Sequence, residues 1–370
     1  MKWHLRQFSE GRSTTWEQSS GDIGQNLTRV SSTTQLSQRS DWRRSSSPRQ
    51  EDRKYSILIC TDFAFPKFGG VETHGYQLAQ CLIERGHKVC FVTNKFQGSR
   101  SGVRHMANGM KVYYLPMLPT LQGDVAFLSF FNNLPLIRQI LVREHVDIVH
   151  GHQSTSILSH CVMMAAKSYG VKTVFTEHSL FCYNDFTGIH LNKLIKWSFR
   201  DLDAAICVSH ACKDNFVLRA KVDPSKTFTI PNAVDSNRFT PNPEIRREDI
   251  AKSGNPDQIN IVFISRLAYR KGVDLLIGII PKILAQFENV HFIIGGDGAG
   301  MVDLQELVER HNLHGRVELL GGLPHDNVRD VLCRGHIFLN TSLTESFCIA
   351  ILEAACCGLL VVTTDVGGVP

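Results

Sequence analysis

Residues 340–358 read NTSLTESFCIAILEAACCG, and they decide how the rest of the chain is read. The apolar run HIFLN just before them, residues 336–340, has the length and composition of a buried strand. A polar turn then carries Glu345, and residues 348–357 are apolar and rich in helix formers. Ile349, Leu352 and Cys356 fall at helical spacing, and Gly358 takes the C-cap position. Glu345 thus precedes the helix, and Glu353 lies near its middle. Eight residues at about 1.5 Å each set the two carboxylates about 12 Å apart. Paired carboxylates of glycosidases stand closer, so a hydrolytic dyad fits poorly. One extended ligand touched at two points fits better. Two solvated helix glutamates are the plainer reading of the same spacing.

Outward from this stretch the same strand–turn–helix unit recurs. SILIC, KVCFVT, KVYYL, DIVHGH, KTVFT, AAICV and TFTI form a first series of strand candidates, and NIVFIS, VHFIIGG, RVELLGG, HIFLN and LLVVTT a second. Such alternation predicts an α/β protein with doubly wound parallel sheets, which bind ligands at the carboxyl ends of their strands. His150, His152, Glu177 and His178 fall at such ends, as do Arg266 and Lys271 in SRLAYRKG. Two cations ahead of a helix suit a diphosphate. After the first strand, Gly69 and Gly70 lead into a helix in which Leu78, Cys81 and Leu82 share a face, a unit that lets backbone N–H groups approach an anion. GGDGAG, residues 295–300, misses the dinucleotide fingerprint because Met301 stands where glycine is required, which argues against a nicotinamide enzyme. Residues 127–145, FLSFFNNLPLIRQILVREH, read as a helix packed on the sheet, with docking to a membrane surface as the alternative.

Composition sets the outer bounds. The 370 residues suffice for two medium domains with their own cores. Residues 1–54 are rich in Ser, Arg and Gln without periodicity, and read as a disordered tail. That tail holds 10 Lys/Arg against 6 Asp/Glu, so it accounts for most of the +5 formal charge. The remainder is near neutral, which argues against nucleic acid as a partner. Residues 55–240 form the expected first Rossmann-like domain, the polar, Pro-containing residues 241–258 a linker, and residues 259–370 a second domain. Eleven scattered cysteines with no CxxC pair suggest a reducing compartment and no zinc site. No apolar run approaches the ~20 residues of a membrane span, and no signal-peptide core is read at the N-terminus.

Taken together, strand-GGVE-helix, PNAVD, SRL…RKG, GGDG and Glu345-x7-Glu353 resemble the retaining GT-B glycosyltransferases with the E-x7-E motif, over residues 55–370. TEHSLF, SRLAYRKGVDLL and LNTSLTESFC narrow the resemblance to the phosphatidylinositol N-acetylglucosaminyltransferase catalytic-subunit family. It implies two Rossmann-like domains facing a cleft and transfer of GlcNAc from UDP-GlcNAc to phosphatidylinositol, the first step of GPI-anchor biosynthesis. The cytosolic face of the endoplasmic reticulum and a complex with further subunits are implied as well.

By that resemblance Arg266 and Lys271 hold the donor diphosphate, with Gly296 beside them. Glu345 and the backbone N–H groups of Ser346, Phe347 and Cys348 grip the sugar hydroxyls, and Glu353 the ribose. His152 matches the histidine near the sugar ring. Gly69, Gly70 and Glu72 match the loop that approaches diphosphate and acceptor. No cofactor and no metal are implied, and no Asp-x-Asp cluster is present to hold one. Ala299 stands where the family loop has proline. The family pattern continues past Pro370 through further β/α units, so the second domain is expected to be incomplete and the chain poorly active by itself. A lipid-directed mannosyltransferase and a non-catalytic fragment that only binds nucleotide-sugar or partner subunits are the alternatives. A glycosylation sequon, Asn340-Thr341-Ser342, falls in the expected site, where a glycan would block the cleft.

Overall fold

The computed structural model of the chain describes residues 3–6, 53–64, 69–95, 101–116, 129–180 and 186–370. Fourteen strands occur among them: β1 (Trp3–Arg6), β2 (Ser56–Cys60), β3 (Lys88–Asn94), β4 (Gly102–His105), β5 (Lys111–Leu115), β6 (Ile148–His152), β7 (Lys172–Glu177), β8 (Ala204–Cys207), β9 (Thr227–Thr229), β10 (Ile259–Ile264), β11 (Val290–Gly295), β12 (Val317–Gly321), β13 (Ile337–Asn340) and β14 (Leu360–Thr364). One sheet has the order β4-β5-β3-β2-β6-β7-β8-β9 and the other β1-β14-β13-β10-β11-β12. Both are parallel except at one edge, where β4 and β1 run antiparallel to their neighbours. In each sheet the strand order reverses beside the first parallel strand, between β2 and β6 and between β10 and β13. Those are the switch points where a doubly wound sheet opens a crevice.

Burial on both faces explains why the strands are apolar throughout. In β2, Leu58 and Cys60 belong to one core cluster, while Ile57 and Ile59 belong to another. In β10, Ile261 and Phe263 face one cluster and Val262 the other. The period-two alternation thus feeds two cores per sheet, with helices covering each face. The helix Ser129–Arg143 sends Ile137, Ile140 and Leu141 into the first core, so it packs on the sheet as its spacing predicts.

Several local expectations change. In the helix Gly70–Glu84 the buried positions are Gly75 and Ala79, and Cys81 is exposed rather than sharing an inward face with Leu78 and Leu82. Strand β4 went unforeseen because all four of its residues are exposed and lack an apolar alternation. Residues 241–258, read as a linker, contain the helix Pro243–Ser253. Asn242 caps it through Glu244 N–H, Pro243 occupies the first turn, and Gly254 closes it in the left-handed region. Ile245 then packs into the second-sheet core, which Phe239 has already entered. Of the tail read as disordered, Trp3–Arg6 pairs with β14; residues 7–52 lie outside the described residues.

One buried carboxylate ties the first lobe together. Glu144, just past the helix Ser129–Arg143, meets Lys88 Nζ and Lys111 Nζ at 2.9 Å each, and accepts from the Tyr113 hydroxyl. Burial pushes this carboxyl up, but Lys88, Tyr113 and Lys111 outweigh it and hold the pKa down at about 2. The resulting stability is present above the ordinary carboxylate pKa and is lost as the pH falls toward 2. Glu144→Ala is therefore expected to cost about 3 kcal/mol at pH 7. Denaturant melts at pH 7 and in acid check this, with the gap to the parent protein closing below pH ~4.

Candidate active site

The second-lobe half of the site is built by two loops, one after β10 and one after β13. Gly272 sits between them with φ 69°, and a Cβ there would lie 1.8 Å from the Thr341 carbonyl oxygen. Only glycine permits that approach. Thr341 Oγ1 donates to the carbonyls of Lys271 and Gly272, and Leu343 N–H donates to the Arg270 carbonyl. So pinned, Lys271 places Nζ 2.5 Å from Glu345 Oε1. Ser342 Oγ donates to the same oxygen at 2.7 Å. Glu345 is buried, and behind it Gly368 N–H donates to its carbonyl. Charge pair and hydroxyl together satisfy a carboxylate that water barely reaches.

Arg266 shares the β10 loop but is exposed, and among the described residues it forms no ion pair. Its backbone is positioned by the glycine loop after β11. A Cβ at Gly296 would lie 1.8 Å from the Ser265 carbonyl oxygen, and one at Gly298 2.5 Å from that of Leu267. The N–H of Gly296 is already bonded to the Gly321 carbonyl. Gly296 therefore serves by letting two loops touch rather than by donating to an anion. Asn340, the sequon asparagine, is buried and donates to Thr363 Oγ1.

The first lobe contributes a cluster of imidazoles. His152 ends β6, His178 follows β7, and His74 lies in the helix Gly70–Glu84, one turn beyond Gly70. His152 Nδ1 and His178 Nε2 are 3.2 Å apart. His74 packs edge-on against both rings, and His150 stacks on His152 at 4.4 Å. Burial and the neighbouring imidazoles push His150 down to about 3 and hold His152 and His178 far below the usual range. The cluster is thus neutral at physiological pH. His152 Nε2 is buried with no hydrogen-bond partner among the described residues.

Glu177 organises this corner. Its carboxyl accepts from the N–H groups of His178 and Ser179 at 2.9 Å each and from the Ser154 hydroxyl. Full burial nevertheless raises its pKa well above the usual value. Asp62, at the end of β2, accepts from Asn94 Nδ2 and from Leu158 N–H, and burial raises it to about 6.

The halves meet where the Ser346 hydroxyl donates to the His178 carbonyl and Phe347 packs against the first-lobe core. Cys348 then starts the helix Ile349–Cys356 in the left-handed region, at φ 64°. Glu353, on that helix, is buried, which pushes its carboxyl up to about 7 against the opposing charge of Arg238. Lys271, Glu345, Ser346 and His178 are thereby connected through adjoining contacts. Among the described residues no hydrogen bond or ion pair links Gly69, Gly70 or Glu72 to Lys271 or Glu345. His74, Asp62 and Ser342 escaped the sequence reading. The signal for Asp62 was its place directly after an apolar strand, and for His74 its place one turn past the glycine pair.

Similarity to known proteins shows the family. The family profile described as PIGA (GPI anchor biosynthesis) matches residues 95–185, and that of glycosyl transferases group 1 matches residues 245–370. A phosphatidylinositol N-acetylglucosaminyltransferase subunit of Arabidopsis thaliana is 52% identical over 320 residues, covering 86% of this chain and 69% of that protein. Its Homo sapiens counterpart is 51% identical over 318 residues, covering 86% and 63%. The chain thus spans about two thirds of the length of these relatives. Among solved structures, sucrose-phosphate synthase from Thermosynechococcus elongatus superposes with a TM-score of 0.68 at 18% identity, over 85% of this chain and 82% of that one. The fold is GT-B.

Two outcomes are expected. Gly272→Ala adds a clash and a strained φ, and should lower stability by about 3 kcal/mol in a denaturant melt. Because the Glu353 pKa is raised, the stability it contributes is full below pH 4.5 and lost as the pH rises through about 7. Glu353→Gln should therefore melt about 3 °C above the parent protein at pH 8, with the advantage disappearing at pH ~5.

Proposed function

Because the chain belongs to the PIGA family of phosphatidylinositol N-acetylglucosaminyltransferase subunits, we propose that it houses the transfer site of that enzyme. It moves GlcNAc from UDP-GlcNAc to phosphatidylinositol with retention, the first step of GPI-anchor biosynthesis. The observation that carries this reading is the Lys271–Glu345 contact of 2.5 Å at the second switch point, joined to the imidazoles of the first through the Ser346 hydroxyl on the His178 carbonyl. A cation and an acid side by side suit the junction between a diphosphate and a sugar.

Transfer breaks the bond from the sugar C1 to the diphosphate oxygen and forms one from C1 to an inositol oxygen on the same face. The departing oxygen gains negative charge and takes the acceptor proton. Lys271 and Arg266, which forms no ion pair among the described residues, stabilise that charge in place of a metal. Glu345 is a positioning group. Its Oε1 already accepts from Lys271 and Ser342, and such a carboxylate is a poor nucleophile. It holds the sugar hydroxyls together with the N–H groups of Ser346, Phe347 and Cys348, while Glu353 accepts from the ribose. His152 Nε2, which has no hydrogen-bond partner among the described residues, receives the sugar ring. Gly69, Gly70 and Glu72 border the acceptor side.

Relatives are named as subunits, which supports assembly with further subunits of the same transferase. The cytoplasmic face of the endoplasmic reticulum is the proposed location. Ten free cysteines among the described residues and a buried sequon asparagine support it. No helix of the described residues is long and apolar enough to cross a membrane.

Transfer assays on the assembled enzyme with phosphatidylinositol vesicles test this. Lys271→Ala should lose at least about 2 kcal/mol of transition-state stabilisation, a roughly 30-fold fall in kcat/KM. EDTA should leave the parent activity unchanged, and UDP-GlcNAc should outcompete GDP-mannose for the site. Unaltered turnover in Lys271→Ala would remove the basis for the reading.

A further inference from the structure

We propose that His74, His152 and His178 form a binding site for a divalent transition metal of the zinc class. The site goes beyond the transfer reaction, which draws on His152 alone of the three.

Geometry carries the inference. Each ring offers one nitrogen, and the three nitrogens lie within 4.8 Å of one another. Ligands about 2.1 Å from a tetrahedral zinc stand roughly 3.4 Å apart. The 3.2 Å between His152 Nδ1 and His178 Nε2 already matches that separation. A metal can therefore replace this hydrogen bond once the two rings turn so that their lone pairs converge, and His74 closes the third corner by a side-chain adjustment.

Three different elements present the ligands, and their surroundings hold them in place. His152 is braced by the stack with His150, whose own Nε2 is taken by Thr176 Oγ1 at 2.8 Å. The buried carboxyl of Glu177 fixes the backbone at His178. His74 is anchored by the helix Gly70–Glu84. Such support of ligand orientation is what separates a metal site from a chance cluster.

Donor chemistry selects the ion. Three imidazole nitrogens with no carboxylate among them favour zinc, cobalt, nickel or copper over magnesium or manganese. Three protein ligands leave a fourth position open, as in zinc sites that admit an outside molecule.

Cobalt(II) titration of the chelator-treated protein tests binding without recourse to activity. One Co2+ per chain should develop the visible absorption of a tetrahedral site, and Zn2+ should bleach it. His74→Asn and, separately, His178→Asn should weaken binding about tenfold or more, with melting curves verifying that each variant is folded. Absent absorption, or absorption that survives both substitutions, overturns the site. Tetrahedral cobalt binding in a protein without transferase activity would instead count against the proposed function alone.

Discussion

The architecture of the site depends on one close approach, that of Gly272 to the Thr341 carbonyl. Two loops from neighbouring strands β10 and β13 can touch there only because no side chain intervenes. Thr341 then uses its hydroxyl to bond the backbone on either side of the contact. Lys271 is carried onto Glu345 as a consequence, without any long-range electrostatic guidance being required. The same device recurs after β11, where Gly296 and Gly298 let a second loop rest on Ser265 and Leu267. It appears again after β14, where Gly367 and Gly368 lie against the carbonyls of Glu345 and Ser346. Glycine thus works here as a spacer between loops, and the reactive side chains inherit their positions from it.

Charge is distributed unequally across the two halves. The second lobe holds a buried ion pair, affordable because Ser342 adds a hydrogen bond and because lysine and carboxylate lie in contact. The first lobe presents four imidazoles that burial keeps neutral. The second lobe thus offers a cation whose charge is matched by an acid, and the first offers hydrogen-bonding capacity without net charge at His152.

Much of the fold was legible because a doubly wound sheet writes itself into the sequence. Strands buried on both faces appear as short apolar runs, as SILIC and NIVFIS do, and the turn glycines punctuate them. Features with weaker local signals were lost. The exposed strand β4 carries no hydrophobic pattern, and the helix Pro243–Ser253 is so polar that composition alone made it a linker. Its cap residues, Asn242, Pro243 and Gly254, were the readable clue. Cys81 looked inward by spacing, yet the helix Gly70–Glu84 buries the neighbouring stripe through Gly75 and Ala79, since small residues let the helix sit closer to the sheet.

The sequence by itself determined the β/α series, its family and the two acidic positions of the E-x7-E motif, because these rest on local periodicity and on motif order. Only the tertiary structure decided which groups share a site. His74, His152 and His178 are separated by up to about a hundred residues, and Lys271 and Glu345 by 74. Nothing in their local spacing predicts contact; parallel pairing of β2 with β6 and of β6 with β7 gathers the first set. Whether a cation is free or engaged also lies beyond spacing. Arg266 and Lys271 read alike in the chain, but only Lys271 follows the loop pinned at Gly272 into a buried pair, while Arg266 stays in solvent.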